Sequence, residues 1–163
     1  MTTMILVIAL VISFFTDVKQ RKILNIVTLP AILIGIISNT VTSGFHGLLF
    51  SLLGVLTGFA LLFIPYVLNG MAAGDLKLVM AIGALKGSAF VFGSFLYIAL
   101  FGGIIALIIL LFQKDFMNTL KRMVVSAQFR TLDSLSKKEY HHAFPYGVAI
   151  VLGTFSYYGM NLL

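Results

Sequence analysis

Apolar residues run along this chain in six blocks: Thr2–Thr16, Ile26–Ser38, Gly47–Leu68, Leu76–Leu85, Ser88–Phe112 and Phe144–Leu163. A membrane crossing takes about 20 apolar residues, fewer where its ends lie in protein or at the interface. The pattern therefore predicts an all-α, polytopic membrane helix bundle of about six transmembrane helices, forming a single domain over residues 1–163. Lys86 and Gly87 are the one polar break between the fourth and fifth blocks. The run from Leu78 to Phe112 is too long for one pass and requires two passes or a re-entrant piece. The first apolar run, Met4 to Phe15, lacks the basic leader and small-residue cleavage site of a signal peptide and is read as a retained span.

The one long polar stretch runs from Lys114 to His142. Within it Phe116, Leu120, Met123, Val124 and Ala127 recur at helical spacing, with Lys121, Arg122 and Arg130 on other faces. That spacing predicts an amphipathic helix on the cytoplasmic membrane surface, between the fifth and sixth helices. A solvated basic loop is equally compatible with it. Gly54 and Gly58 form a small-xxx-small pair in the third block, and Gly102, Gly103 and Ala106 give the fifth a similar surface. Such residues let helix backbones approach closely.

Composition supports lipid as the outer solvent. Hydrophobic residues make up 60% of the chain and charged residues 10%, against about 25% charged in soluble domains. The formal net charge is +6, from eleven basic and five acidic residues. The basic residues lie between apolar blocks, so their sign is read as topology rather than nucleic-acid binding. Lys19, Arg21 and Lys22 follow the first block; Lys114, Lys121, Arg122, Arg130, Lys137 and Lys138 lie between the fifth and sixth. Six spans put both clusters on the cytoplasmic side, with both termini outside, whereas five spans would separate them. The absence of cysteine excludes disulfides, thiolate metal sites, iron–sulfur clusters and a cysteine nucleophile.

Asp115, Asp133 and Glu139 sit in the polar stretch. Asp17 and Asp75 instead adjoin membrane blocks, where a carboxylate costs about 2.5–3.5 kcal/mol on insertion scales. Topology puts both at one depth on one face, because the second and third blocks bring the chain back before Asp75. Two neighbouring carboxyls share a proton. The ionised member can take a proton from water while the protonated one polarises a scissile carbonyl. No metal or cofactor is needed. The same residues admit plainer readings: Asp17 paired with Lys19 or Arg21 at the interface, and Asp75 capping the helix that starts at Leu76.

The segment Gly70-Met71-Ala72-Ala73-Gly74-Asp75-Leu76-Lys77-Leu78 resembles the GxGD motif of membrane-embedded aspartic peptidases, and its continuation Val79-Met80-Ala81-Ile82-Gly83-Ala84 is similar to the type IV prepilin peptidase version. Asp17 with Arg21, Lys22, Ile23 and Asn25, followed by Thr28 and Pro30, resembles that family's first-aspartate motif. Phe144-Pro145-Tyr146-Gly147-Val148-Ala149 is similar to its closing Pro-x-Gly segment. The resemblance implies catalytic Asp17 and Asp75, with cleavage of the leader from pilin-like precursors at the cytoplasmic membrane of a prokaryote. It implies a small Flp/Tad-like form without the methyltransferase domain. Supporting or substrate-binding roles fall to Gly74, Lys77, Arg21, Lys22, Asn25, Pro145 and Gly147. Arg21 and Lys22 could attract an acidic substrate group or simply anchor at the interface, and Lys77 could meet lipid phosphate or substrate charge. His141 and His142 are read as interfacial, since no third metal ligand accompanies them.

Two positions depart from the family pattern. Ala72 replaces the first motif glycine, which is strained only if that position needs positive φ. Leu24 stands where a proline is usual, leaving the turn less rigid. Two rival readings use the same residues: a small proton- or ion-coupled transporter relaying through the aspartates, and a noncatalytic assembly subunit. The transporter reading finds no internal repeat between the two halves of the chain.

Overall fold

The computed structural model describes residues 1–68, 70–112 and 146–161. The regular structure among the described residues is all helical, in five elements: α1 (Thr2–Gln20), α2 (Asn25–Val67), α3 (Ala73–Lys86), α4 (Ser88–Phe112) and α5 (Tyr146–Met160). The chain divides into two units. One comprises Met1–Gly102 with Pro145–Leu163, and the other Gly103–Phe144. The predicted amphipathic helix, Pro145, His141 and His142 fall outside the described residues.

The second and third apolar blocks form the two parts of α2. Its 43 residues would reach about 65 Å as a straight rod, roughly twice the hydrocarbon thickness of a bilayer. Gly44 interrupts it with φ 58 and ψ −138, a conformation that glycine alone adopts readily. Beyond it the chain doubles back. Asn39 Nδ2 donates to Ser51 Oγ at 2.9 Å, and Ser51 Oγ reaches the Gly35 carbonyl at 3.4 Å. Residues 12 and 16 positions apart would be about 18 and 24 Å apart along an unbroken helix, so the two parts form a hairpin.

α3 is the central element. Leu78, Val79, Ala81, Ile82, Ala84 and Leu85 are all buried, which leaves no lipid-facing stripe. Glycines make this possible. Gly54 and Gly83 meet backbone to backbone, and Gly58 lies against the backbone of Val79 and Met80. The Asn39 amide also donates to the Ala84 carbonyl at 3.0 Å, as does the Ser51 hydroxyl at 2.9 Å. These bonds satisfy polar groups that the apolar surroundings would otherwise leave costly. α4 and α5 pack through Gly93 on Tyr157, Gly153 on Ile98 and Gly102 on Ala149.

These pairings give each element a direction. α3 runs parallel to the first part of α2 (Asn25 with Lys77, Gly35 with Ala84) and antiparallel to the second part (Gly54 with Gly83, Gly58 with Val79). α5 runs antiparallel to α4. Thr3 near the start of α1 accepts from Lys86 Nζ at the end of α3, at 2.6 Å. The same ammonium lies 5.1 Å from the centre of the Tyr158 ring, near the end of α5. α1 is therefore antiparallel to both α3 and α5.

Outward faces are apolar: Ile26, Leu33, Ile37, Val41, Leu56, Ile64, Leu96 and Leu100 are all exposed. So continuous an apolar surface suits lipid rather than water, and the chain is a membrane protein. Three helices have the length and hydropathy to cross a bilayer: Thr2–Gln20, Asn25–Val67 and Ser88–Ile108. Among the described residues the expectation of about six transmembrane helices is met only in part. α3 and α5, with 14 and 15 residues, reach only about 21–23 Å. α3 can be short because its flanks are covered by protein rather than lipid.

Candidate functional site

Leu6, Ala9, Leu10, Ser13 and Asp17 are the buried positions of α1, recurring once per helical turn. Helical periodicity thus turns Asp17 inward with the core stripe, and it is only 5% exposed. α1 ends one turn later. Arg21 takes the left-handed conformation (φ 51, ψ 37), and its N–H donates to the Asp17 carbonyl at 2.7 Å. Ile23 then packs inward against Gly74. A side chain at Gly74 would meet Ile23 Cβ and its carbonyl oxygen at 3.0 Å. The glycine beside Asp75 is therefore what lets the α1–α2 connection approach the start of α3.

Ala72 precedes α3 with φ −80 and ψ 153. This is ordinary extended backbone, so alanine at the usual glycine position carries no conformational strain. Asp75 sits in the first turn of α3. Its Oδ2 accepts from the Ala72 N–H at 3.1 Å, half of a capping box, since alanine has no acceptor to return. Asp75, like Asp17, is 5% exposed. Leu24 adopts φ −78, close to the angle that a proline ring imposes.

The third contribution is the start of α5. The amides of Gly147 and Val148 face the Asp17 carboxylate, placing the positive end of a helix beside an acid. A Cβ at Gly147 would lie 2.6 Å from Asp17 Oδ2. The end of α1 and the starts of α3 and α5 thus converge, and the two buried carboxyls lie at one end of the bundle. They are close enough for the charge of Asp17 to act on Asp75, that of Arg21 on Asp17, and that of Asp75 on Tyr146.

Among the other residues singled out from sequence, Lys77 and Asn25 meet: Lys77 Nζ donates to Asn25 Oδ1 at 3.0 Å, at the surface. Lys22 is exposed in the α1–α2 connection. Among the described residues no three His, Cys, Asp or Glu side chains gather as a metal site would need. Sequence reasoning gave no role to Tyr146 or Ser13. The signal for Tyr146 was its place inside the closing Pro-x-Gly segment. For Ser13 it was a hydroxyl four residues before Asp17 on an otherwise apolar face.

The fold and this site define an integral membrane helix bundle with a buried pair of aspartates at one end. The chain belongs to the type IV leader peptidase family, whose model matches residues 4–107, a stretch that contains both aspartates. It is accordingly a peptidase. No curated protein and no solved structure matches it.

Proposed function

We propose that this protein is a membrane-embedded aspartic endopeptidase that removes the leader from type IV pilin-like precursors, with Asp17 and Asp75 as its catalytic pair. The observation that carries this reading is the convergence of two buried carboxyls, with the charge of Asp17 reaching Asp75, in a member of a leader peptidase family. The reaction needs no other group. One carboxylate takes a proton from water as the water oxygen attacks the scissile carbonyl. The protonated partner donates to the carbonyl oxygen, and the departing amine then receives a proton as the C–N bond breaks.

The reading extends to topology. Helix directions alternate as a chain of six passes would require, with the two parts of α2 counted separately. Lys19, Arg21, Lys22 and Lys77 cluster at the end that carries the aspartates, as expected of a cytoplasmic face. Both termini then lie outside, and the site works at the cytoplasmic side of a prokaryotic inner membrane.

The test is co-expression with a pilin-like precursor, following the mobility shift on leader removal. Asp17→Asn and Asp75→Asn should each abolish processing while the protein still inserts in the membrane. The second variant also separates catalysis from capping, because asparagine keeps a side-chain oxygen for the Ala72 N–H. Near-normal processing by either variant sinks the assignment.

A further inference from the structure

Three buried hydroxyls in this bundle find a carbonyl acceptor. Thr154 Oγ1 donates to the Ile150 carbonyl at 2.6 Å, Ser94 Oγ to Val91 at 3.0 Å, and Ser51 Oγ to Ala84 at 2.9 Å. Three buried side-chain oxygens among the described residues have no such partner: Ser13 Oγ, Asp17 Oδ2 and Thr28 Oγ1. Two of the three belong together. Ser13 and Asp17 are both on the buried stripe of α1, four residues apart. That spacing stacks them on one helix face with Cβ atoms about 5–6 Å apart. Thr28 lies on α2, where its neighbours one turn away, Leu24, Asn25, Ala31 and Ile32, include no acid.

A serine in a helix can always turn its hydroxyl back to the carbonyl four residues earlier, as Thr154 does. Ser13 is fully buried and does not. A hydroxyl and a carboxylate oxygen one turn apart can be bridged by a single water at ordinary hydrogen-bond lengths. A buried water needs two to four polar partners. Ser13 Oγ and Asp17 Oδ2 supply two.

We infer that Ser13 is a positioning residue: its hydroxyl and Asp17 Oδ2 together hold the water used in hydrolysis, one turn below the carboxylate. This rests on the aspartate-pair reading. Ser13 accepts from or donates to the water and forms no bond to substrate. It fixes where the nucleophile waits, and Asp17 takes its proton.

The experiment uses the purified full chain in detergent with a pilin-like precursor, comparing wild type, Ser13→Ala, Ser13→Thr and Asp17→Asn. Ser13→Ala is expected to lower kcat by about tenfold or more with KM and Tm unchanged, because substrate contacts are untouched. Ser13→Thr, which keeps the hydroxyl, is expected to recover most of that loss. Wild-type kcat in Ser13→Ala, beside an inactive Asp17→Asn, overturns the Ser13 inference alone. So does an equal loss in Ala and Thr variants, or a loss that follows a fall in Tm, since packing rather than the hydroxyl would then be responsible. An active Asp17→Asn instead overturns the aspartate-pair reading.

Discussion

Gly147 lies so close to Asp17 that a single added carbon would stand 2.6 Å from the carboxylate oxygen and 2.8 Å from its carbon. The contact holds the start of α5 against the end of α1, and the amides of α5 face the acid because of it. Gly147→Ala must push the carboxylate or the helix aside. A displacement of about 1 Å at a reacting group is enough for roughly a hundredfold loss of rate. The expected outcome is that loss in leader cleavage with helix content preserved by far-UV circular dichroism. A wild-type rate would mean that Asp17 can move without consequence.

Much of this was legible in sequence, and the illegible part has physical causes. The apolar blocks found the helices because lipid leaves little choice of secondary structure. Gly54 and Gly58 read correctly as a packing surface, and Gly83 proved to be what Gly54 packs on. The turn at Gly44 was legible as the gap between the second and third apolar blocks, although nothing in the sequence singled out that glycine as its pivot. The shortness of α3 was visible as a ten-residue block, but hydropathy cannot tell a lipid-facing segment from one sheathed in protein. Asp17 and Asp75 stood out because an acid beside an apolar block is expensive. Tyr146 did not, because the acid it meets comes from another helix, and Ser13 did not, because a serine in a helix can ordinarily bond back to its own backbone.

Lys77 and Asn25 join the two aspartate-bearing segments through one surface hydrogen bond of 3.0 Å. Exposure limits what it contributes to stability. A double-mutant cycle with Lys77→Met and Asn25→Ala, read by thermal unfolding in detergent, should give a coupling of about 0.5–1 kcal/mol. Strictly additive losses would show that the pair meets without holding the segments together.

Gly54 and Gly83 touch through their backbones, so neither neighbour has a flexible side chain that can yield. Gly54→Ala is expected to destabilise the bundle by about 3 kcal/mol, the upper range for overpacking. Gly159 near the end of α5 has nothing within 4 Å of an added Cβ. Gly159→Ala should therefore be neutral or slightly stabilising, by up to about 1 kcal/mol from helix propensity. Equal Tm changes in the two variants would contradict the backbone contact.

Leu24 tests whether the family's usual proline is still accommodated. Its φ of −78 lies within the range a proline ring imposes. Its carbonyl, which proline retains, accepts from Val27 at 3.0 Å and Thr28 at 3.3 Å. Among the described residues its N–H donates to no backbone carbonyl outside the helices, so the ring would remove no such bond. Its side chain is partly exposed, so little packing is lost. Leu24→Pro should then act mainly on the unfolded chain, narrowing its conformations and raising stability by about 0.4–1 kcal/mol. The measurement is thermal unfolding in detergent, with leader cleavage assayed in parallel. A higher Tm with unchanged cleavage is the expected result. A lower Tm would show that the turn between α1 and α2 depends on the freedom leucine gives it, and that Ile23 cannot hold its place against Gly74 when followed by proline.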